Sequence, residues 1–310
     1  MSTIPFSRLL GRFYVDLGKR DHKDAVFLAG SGRSGTTWLS QVINHSGGYR
    51  YVFEPFNPAK VDAFRHFRSK QYLRPDDARE AFLGPARLAL SGRLRDPWTD
   101  RFNAKPVARR RLIKDIRANL LLGWMQANFP GMPIVLLLRH PCAVVASRLA
   151  LGWRDNLDET ISQEELVEDH LLPMVAEVRA ARDDFERHLF LWCIDNYVPL
   201  RQFAPGEIHL AFYEELLEKP EEGLQSLFGF LGEAPNDRAH PKLRRPSPLS
   251  RKGAPRPSVD GWRARVDARQ VERAIEILAL FGLDRVYGMG PMPSPSAAYS
   301  LMEENRGAAR

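Results

Sequence analysis

Short apolar runs alternate with amphipathic stretches along most of the chain. "DAVFLAG" is a run closed by glycine, and "TTWLSQVINHSG" comes soon after it with helical spacing and a glycine stop. Together they predict a buried strand, a loop and a helix. "RRLIKDIR" predicts a second strand, "ANLLLGWMQANF" an amphipathic helix, "PGMP" a turn and "IVLLL" a third strand. "RHPCAVVASRLALGW" puts a proline just past that strand and continues with helical periodicity, so a second strand-to-helix junction lies at the same end of the sheet as the first. From about residue 162 to 203 the pattern is helical, with Leu166, Leu171, Phe185, Leu189 and Trp192 on its apolar side. A fourth strand and a helix broken near Pro220 follow in "EIHLAFYEELLEKPEEGLQSLFGFLG". This alternation implies an α/β fold of three layers, a central parallel sheet flanked by helices.

The organisation expected from this pattern is one domain over residues 1–288. Residues 57–111, rich in Arg, Phe and Pro, form an insert over the sheet edge. Residues 236–263 read largely as a long basic, proline-rich loop, and residues 270–281 as a last helix. Residues 289–310, including "PMPSPSAAYSLMEENRGAAR", are expected to be a disordered tail.

Composition narrows the class without choosing a function. A chain of 310 residues, 44% of them hydrophobic, can bury a full core. Its apolar runs are far shorter than a membrane span, and its N-terminal stretch lacks a continuous apolar signal segment, so a soluble, cytoplasmic protein is expected. Two cysteines, Cys142 and Cys193, make neither a disulfide framework nor a zinc site on their own. The net charge of +7 favours an anionic ligand but is also common in proteins that bind none.

Candidate chemistry concentrates in "FLAGSGRSGTTWLS". Glycines let backbone amides converge on a phosphate, and the following helix adds its positive end. The loop is thus P-loop-like, yet Thr36 stands where a nucleotide triphosphatase carries its lysine. In place of that lysine it offers Arg33 within the loop, the hydroxyls of Thr36 and Thr37, and the Trp38 ring to stack on a base. A P-loop kinase or a non-catalytic nucleotide- or RNA-binding protein are the competing classes. Against the first stands the missing lysine; against the second, the lack of an aromatic-rich RNA-recognition motif, so no nucleic-acid partner is expected.

These residues resemble the sulfotransferases that use 3′-phosphoadenosine 5′-phosphosulfate (PAPS). That family's loop P-[KR]-S-G-T-T-W reads here Gly32, Arg33, Ser34, Gly35, Thr36, Thr37 and Trp38, with glycine at the proline position. Its second motif, R-[DH]-P-x-x-x-x-x-S, is matched by "RHPCAVVAS", with Arg139 and Ser147 in the positions that hold the 3′-phosphate. "YEELLEKP", with Tyr213, is similar to its Y-E-D-L segment near the adenine. Arg251, Lys252 and Gly253, followed by "GWR", are similar to its C-terminal phosphate-binding loop. The resemblance implies PAPS as co-substrate without a metal, and transfer of its sulfuryl group to the hydroxyl of a saccharide or other small metabolite. It implies nothing about oligomeric state.

The catalytic roles are assigned by the same resemblance. Arg33 occupies the place of the cytosolic enzymes' catalytic lysine and is assigned to the leaving group. Their K-x-H strand motif falls on Lys114 and Ile116, so the histidine base is absent, and no other histidine lies between His66 and His140. Glu54 in "YVFEPFNP" resembles the E-P motif of carbohydrate sulfotransferases and is the expected base. Asp115 is the weaker alternative, because strand alternation turns it away from Lys114. The insert is expected to contact the acceptor, with Trp98 and Phe102 as ring platforms.

Overall fold

The computed structural model describes residues 15–103, 107–234, 239–246 and 257–308. Five parallel strands form the sheet: β1 (Ala25–Gly30), β2 (Tyr49–Phe53), β3 (Arg110–Asp115), β4 (Ile134–Leu138) and β5 (His209–Phe212), in the spatial order β2-β3-β1-β4-β5. β2 was not anticipated, because "YRYVF" interleaves a charge among its aromatics and reads as part of the following motif. Arg50 is nevertheless buried, its guanidinium donating to the carbonyls of Gly92 (2.7 Å) and Leu94 (2.6 Å) and to Asp100.

Helices cover both faces of the sheet, which is why its strands are buried along almost their whole length, the charged side chains of β2 and β3 included. The pleat divides them between two cores. Phe27, Ala29, Ile113, Leu136 and Leu138 face one side, where α4 (Pro141–Leu149) and α5 (Asp184–Gln202) pack. Val26, Leu28, Leu112, Val135 and Leu137 face the other. There lie α1 (Thr36–Ile43), α6 (Tyr213–Glu218) and α7 (Pro220–Phe230). α2 (Glu80–Leu90) belongs to the insert, and α3 (Leu122–Asn128) links β3 to β4. The helical pattern of residues 162–203 is interrupted: short turns reach Arg179, and α5 starts anew behind Asp183, whose side chain accepts from the Glu186 amide.

The expectation of a disordered tail is overturned. After α8 (Ala268–Ala279), α9 (Pro295–Ala308) packs against α5, with Ala298 and Met302 fully buried at i, i+4 spacing. The Pro- and Ser-rich entry to this segment hid a short apolar stripe. Among the described residues no helix is long and apolar enough to cross a membrane.

The order of the strands fixes where a ligand sits. The chain leaves β1 toward β2 and β3 on one side and returns to β4 and β5 on the other, so a crevice opens at the carboxyl ends of β1, β3 and β4. Residues 31–35, 116–117 and 139–140 all stand there.

Candidate active site

The loop after β1 folds on itself before α1 begins. The Ser34 amide and hydroxyl both donate to the Ser31 carbonyl, at 2.9 and 2.6 Å, which buries Ser34 and commits its hydroxyl to the loop. Gly35 has φ 102°, and a Cβ on it would lie 3.0 Å from the Tyr213 ring, so only glycine allows this turn and this approach together. No side chain caps α1, which leaves the amides of Thr36, Thr37 and Trp38 at its positive end for an anion.

Two guanidinium groups meet beside this loop. Arg33 Nε donates to Ser147 Oγ at 3.1 Å, and Arg139 Nη1 donates to the Arg33 carbonyl at 3.3 Å. Arg139 also lies 4.0 Å over the Tyr213 ring, and its Nε is buried without a hydrogen-bond partner among the described residues. Burial, with Arg139 close by, pushes the Arg33 pKa below its ordinary value. Neither arginine has an ion-pair partner among the described residues. Two adjacent cations without a counter-charge favour an anion between them.

A second group of charges lies at the end of β3. Lys114 Nζ donates to Glu54 Oε1 at 2.6 Å, and Arg117 Nη1 to Oε2 at 2.7 Å. Lys114 is buried, whereas a quarter of the Arg117 side chain is exposed. Burial disfavours the Glu54 charge, but the two cations outweigh it and hold the carboxyl below the usual glutamate range. Asp115 projects to the opposite face and accepts from the amides of Phe56 and Arg117, both at 2.8 Å, so it anchors backbone and does not reach the crevice.

Beneath the loop is a third group that no motif announced. Lys70, from the insert, bonds both oxygens of Asp195 on α5. Asp195 accepts from Ser31 Oγ at 2.5 Å, and Ser31 Oγ in turn accepts from Arg148 Nη2 at 2.5 Å. Arg148 Nε holds the Gly32 carbonyl at 3.1 Å. Arg33 (φ 79°), Glu54 (φ 45°) and Lys70 (φ 58°) are the only non-glycine residues in the left-handed region among those described. Each such conformation costs on the order of 1 kcal/mol or more, and all three belong to these charged groups.

The Sulfotransferase family model matches residues 25–237. The chain belongs to the sulfotransferase family. No curated protein matches it. Similar solved structures include a sulfotransferase domain from the Synechococcus PCC 7002 olefin synthase: 18% identity, 83% of this chain and 94% of that one, TM-score 0.48. Another is mouse sulfotransferase SULT7A1 complexed with PAP: 13% identity, 96% and 94%, TM-score 0.48. A third is a sulfotransferase from Alicyclobacillus acidocaldarius: 14% identity, 88% and 97%, TM-score 0.44.

Within this sulfotransferase the quoted motifs converge, with differences in detail. Trp262 of "GWR" stacks on His140 with ring centres 4.3 Å apart, which brings the C-terminal segment beside Arg139. Arg251, Lys252 and Gly253 lie outside the described residues. Trp38 is a correction: only 2% exposed, it packs against Tyr213 and donates to the Leu243 carbonyl at 3.1 Å, so its faces serve the core. Trp98 and Phe102 are a second correction. Arg101 covers both rings, at 3.9 and 4.5 Å, and Trp98 Nε1 donates to the Glu54 carbonyl, so they are not open platforms.

Sequence reasoning missed Arg117, Lys70, Arg148, Asp195 and Glu214. Glu214 accepts from the His140 amide at 2.8 Å and from the Tyr287 hydroxyl at 3.0 Å, fixing the turn that carries Arg139. It adjoins Tyr213 as Arg148 adjoins Ser147, so for these two the motif positions themselves were the available signal. Lys70 and Asp195 sit in no motif.

Proposed function

We propose that this sulfotransferase takes the sulfuryl group from PAPS and transfers it to an acceptor hydroxyl. The observation that carries the donor assignment is the pair Arg33, bonded to Ser147, and Arg139, bonded to the Arg33 carbonyl, neither with an ion-pair partner among the described residues. PAPS carries negative charge at two separate places, and this crevice offers two cationic places to match. The loop amides and the Thr36 and Thr37 hydroxyls suit the 5′-phosphosulfate, while Arg139 and Ser147 suit the 3′-phosphate.

Transfer requires in-line attack by the acceptor oxygen while charge moves onto the leaving phosphate oxygen. The loop and Arg33 meet that charge; arginine stays protonated and acts through its field and hydrogen bonds. In this reading Glu54, whose oxygens are bonded by Lys114 and Arg117, receives the acceptor proton. Tyr213, under Arg139 and against Gly35, borders the nucleotide side.

Calorimetric titration tests the donor. 3′-Phosphoadenosine 5′-phosphate should bind without added metal and more tightly than ATP with or without magnesium. Equal affinities would remove the reading.

A further inference from the structure

The structure also bears on the acceptor. The family's loop begins with proline where this chain has Gly32, and its strand motif carries histidine where this chain has Ile116. The two departures meet in space. A Cβ on Gly32 would fall 2.8 Å from Trp153 Cζ3, 3.2 Å from Trp153 Cη2 and 3.3 Å from Ile116 Cδ1. The benzo edge of Trp153 therefore lies directly on the loop backbone beside Arg33, in space that a side chain at position 32 would fill.

Trp153 is held there. Its amide donates to the Arg148 carbonyl at 3.1 Å, its carbonyl meets His188 Nε2 at 3.0 Å, and Arg148 Nε holds Gly32 from beneath. The Arg33 guanidinium carbon is 6.0 Å from the ring centre. Trp153 is still 38% exposed. An exposed indole, an aliphatic side chain and a cation thus border the place next to the sulfuryl loop. This is a surface for a flat apolar ring.

The base points the same way. With histidine replaced by Ile116, the proton falls to Glu54, whose two oxygens already receive bonds from Lys114 and Arg117. A carboxylate so paired is a weak base, and a weak base suits an acidic hydroxyl. Phenols ionise near pKa 10, as tyrosine does, whereas sugar and alkyl hydroxyls are weaker acids.

We propose that the acceptor is a phenol whose ring packs on Trp153 and Ile116, which narrows the saccharide or other small metabolite expected from sequence. This rests on the donor reading above. The phenolic oxygen forms the new S–O bond as the bond from sulfur to the bridging phosphate oxygen breaks. That oxygen keeps the electron pair, and the phenolic proton passes to the Glu54 carboxylate.

The test is steady-state transfer from PAPS to 2-naphthol and 4-methylphenol, against methyl β-glucoside and cyclohexanol, with nucleotide affinity measured in parallel by titration with 3′-phosphoadenosine 5′-phosphate. Both phenols should be sulfated, and the saturated alcohols on the order of a hundredfold or more less efficiently. Trp153→Ala should raise KM for 2-naphthol on the order of tenfold with unchanged nucleotide affinity, which also reports that the variant is folded, and Trp153→Phe should restore most of the loss. Sulfation of the glucoside as efficient as that of the phenols overturns the proposal and leaves the donor intact, as does an unmoved KM in Trp153→Ala. Failure of wild-type protein to bind the nucleotide overturns both.

Discussion

Two pairs of cations flank the same loop and are treated in opposite ways. Lys70 and Arg148 lie beneath it around Asp195, are buried, and hold Ser31 and Gly32 in place. Arg33 and Arg139 lie beside it, the first bonded to the Ser147 hydroxyl and the second to the Arg33 carbonyl, and the Arg139 Nε is buried without a partner among the described residues. The first pair carries its counter-ion within the protein and is therefore architecture. The second has no ion-pair partner among the described residues, which in the proposed reading suits it to a ligand that brings the counter-charge. Burial alone would not separate them; the presence or absence of a carboxylate does.

Removing the internal counter-ion should have the largest effect. Asp195→Ala leaves Lys70 and Arg148 uncompensated in the interior and should cost about 3–5 kcal/mol of stability, measured by urea unfolding. A loss under 1 kcal/mol would mean that water reaches Lys70 and that the cluster does not anchor the loop.

The Glu54 cluster lies between these extremes, since its carboxylate is paired on both oxygens yet Arg117 remains partly exposed. Glu54→Gln keeps the shape and removes the proton acceptor, so kcat should fall by about 10²–10⁴ with nucleotide affinity nearly constant. A parallel loss of nucleotide binding would make Glu54 a structural partner of Lys114, and unchanged turnover would end its role as base.

How far each region was legible in sequence follows from the same contrast. The crevice cations were legible because the loop and the helix start need particular residues at particular spacings; in the fold Arg33 bonds Ser147 and Arg139 bonds the Arg33 carbonyl. The supporting cations were not legible. Lys70 and Asp195 meet across more than a hundred residues of chain, and neither the insert nor α5 shows a local pattern for that contact. Exposure was the other failure. Trp38, Trp98 and Phe102 were read as open rings because composition does not say that a carbonyl or an arginine already occupies them, whereas Trp153, exposed beside Gly32, follows no spacing rule.

A smaller effect is expected far from the crevice, at Glu186 on α5. Burial disfavours its charge, but bonds from Arg182 and Arg273 prevail and lower its pKa to about 2. A depressed folded pKa means that its stabilisation is complete above the unfolded value near 4.5 and is lost as pH falls toward 2. Because Arg182 and Arg273 are partly exposed, screening should leave about 1 kcal/mol. Melting temperatures from pH 5 to pH 2 should fall more steeply for the wild type than for Glu186→Gln, and parallel slopes would remove the assignment.

The contrast between paired and unpaired cations is tested most directly by titrating wild type and Arg139→Ala with two nucleotides, 3′-phosphoadenosine 5′-phosphate and adenosine 5′-phosphate, which differ only in the 3′-phosphate. If Arg139 awaits that phosphate, the variant loses about 1.5–3 kcal/mol of affinity for the first nucleotide, the range for a hydrogen bond to a charged group, and almost none for the second. Equal losses for both, or no loss for either, would contradict the account.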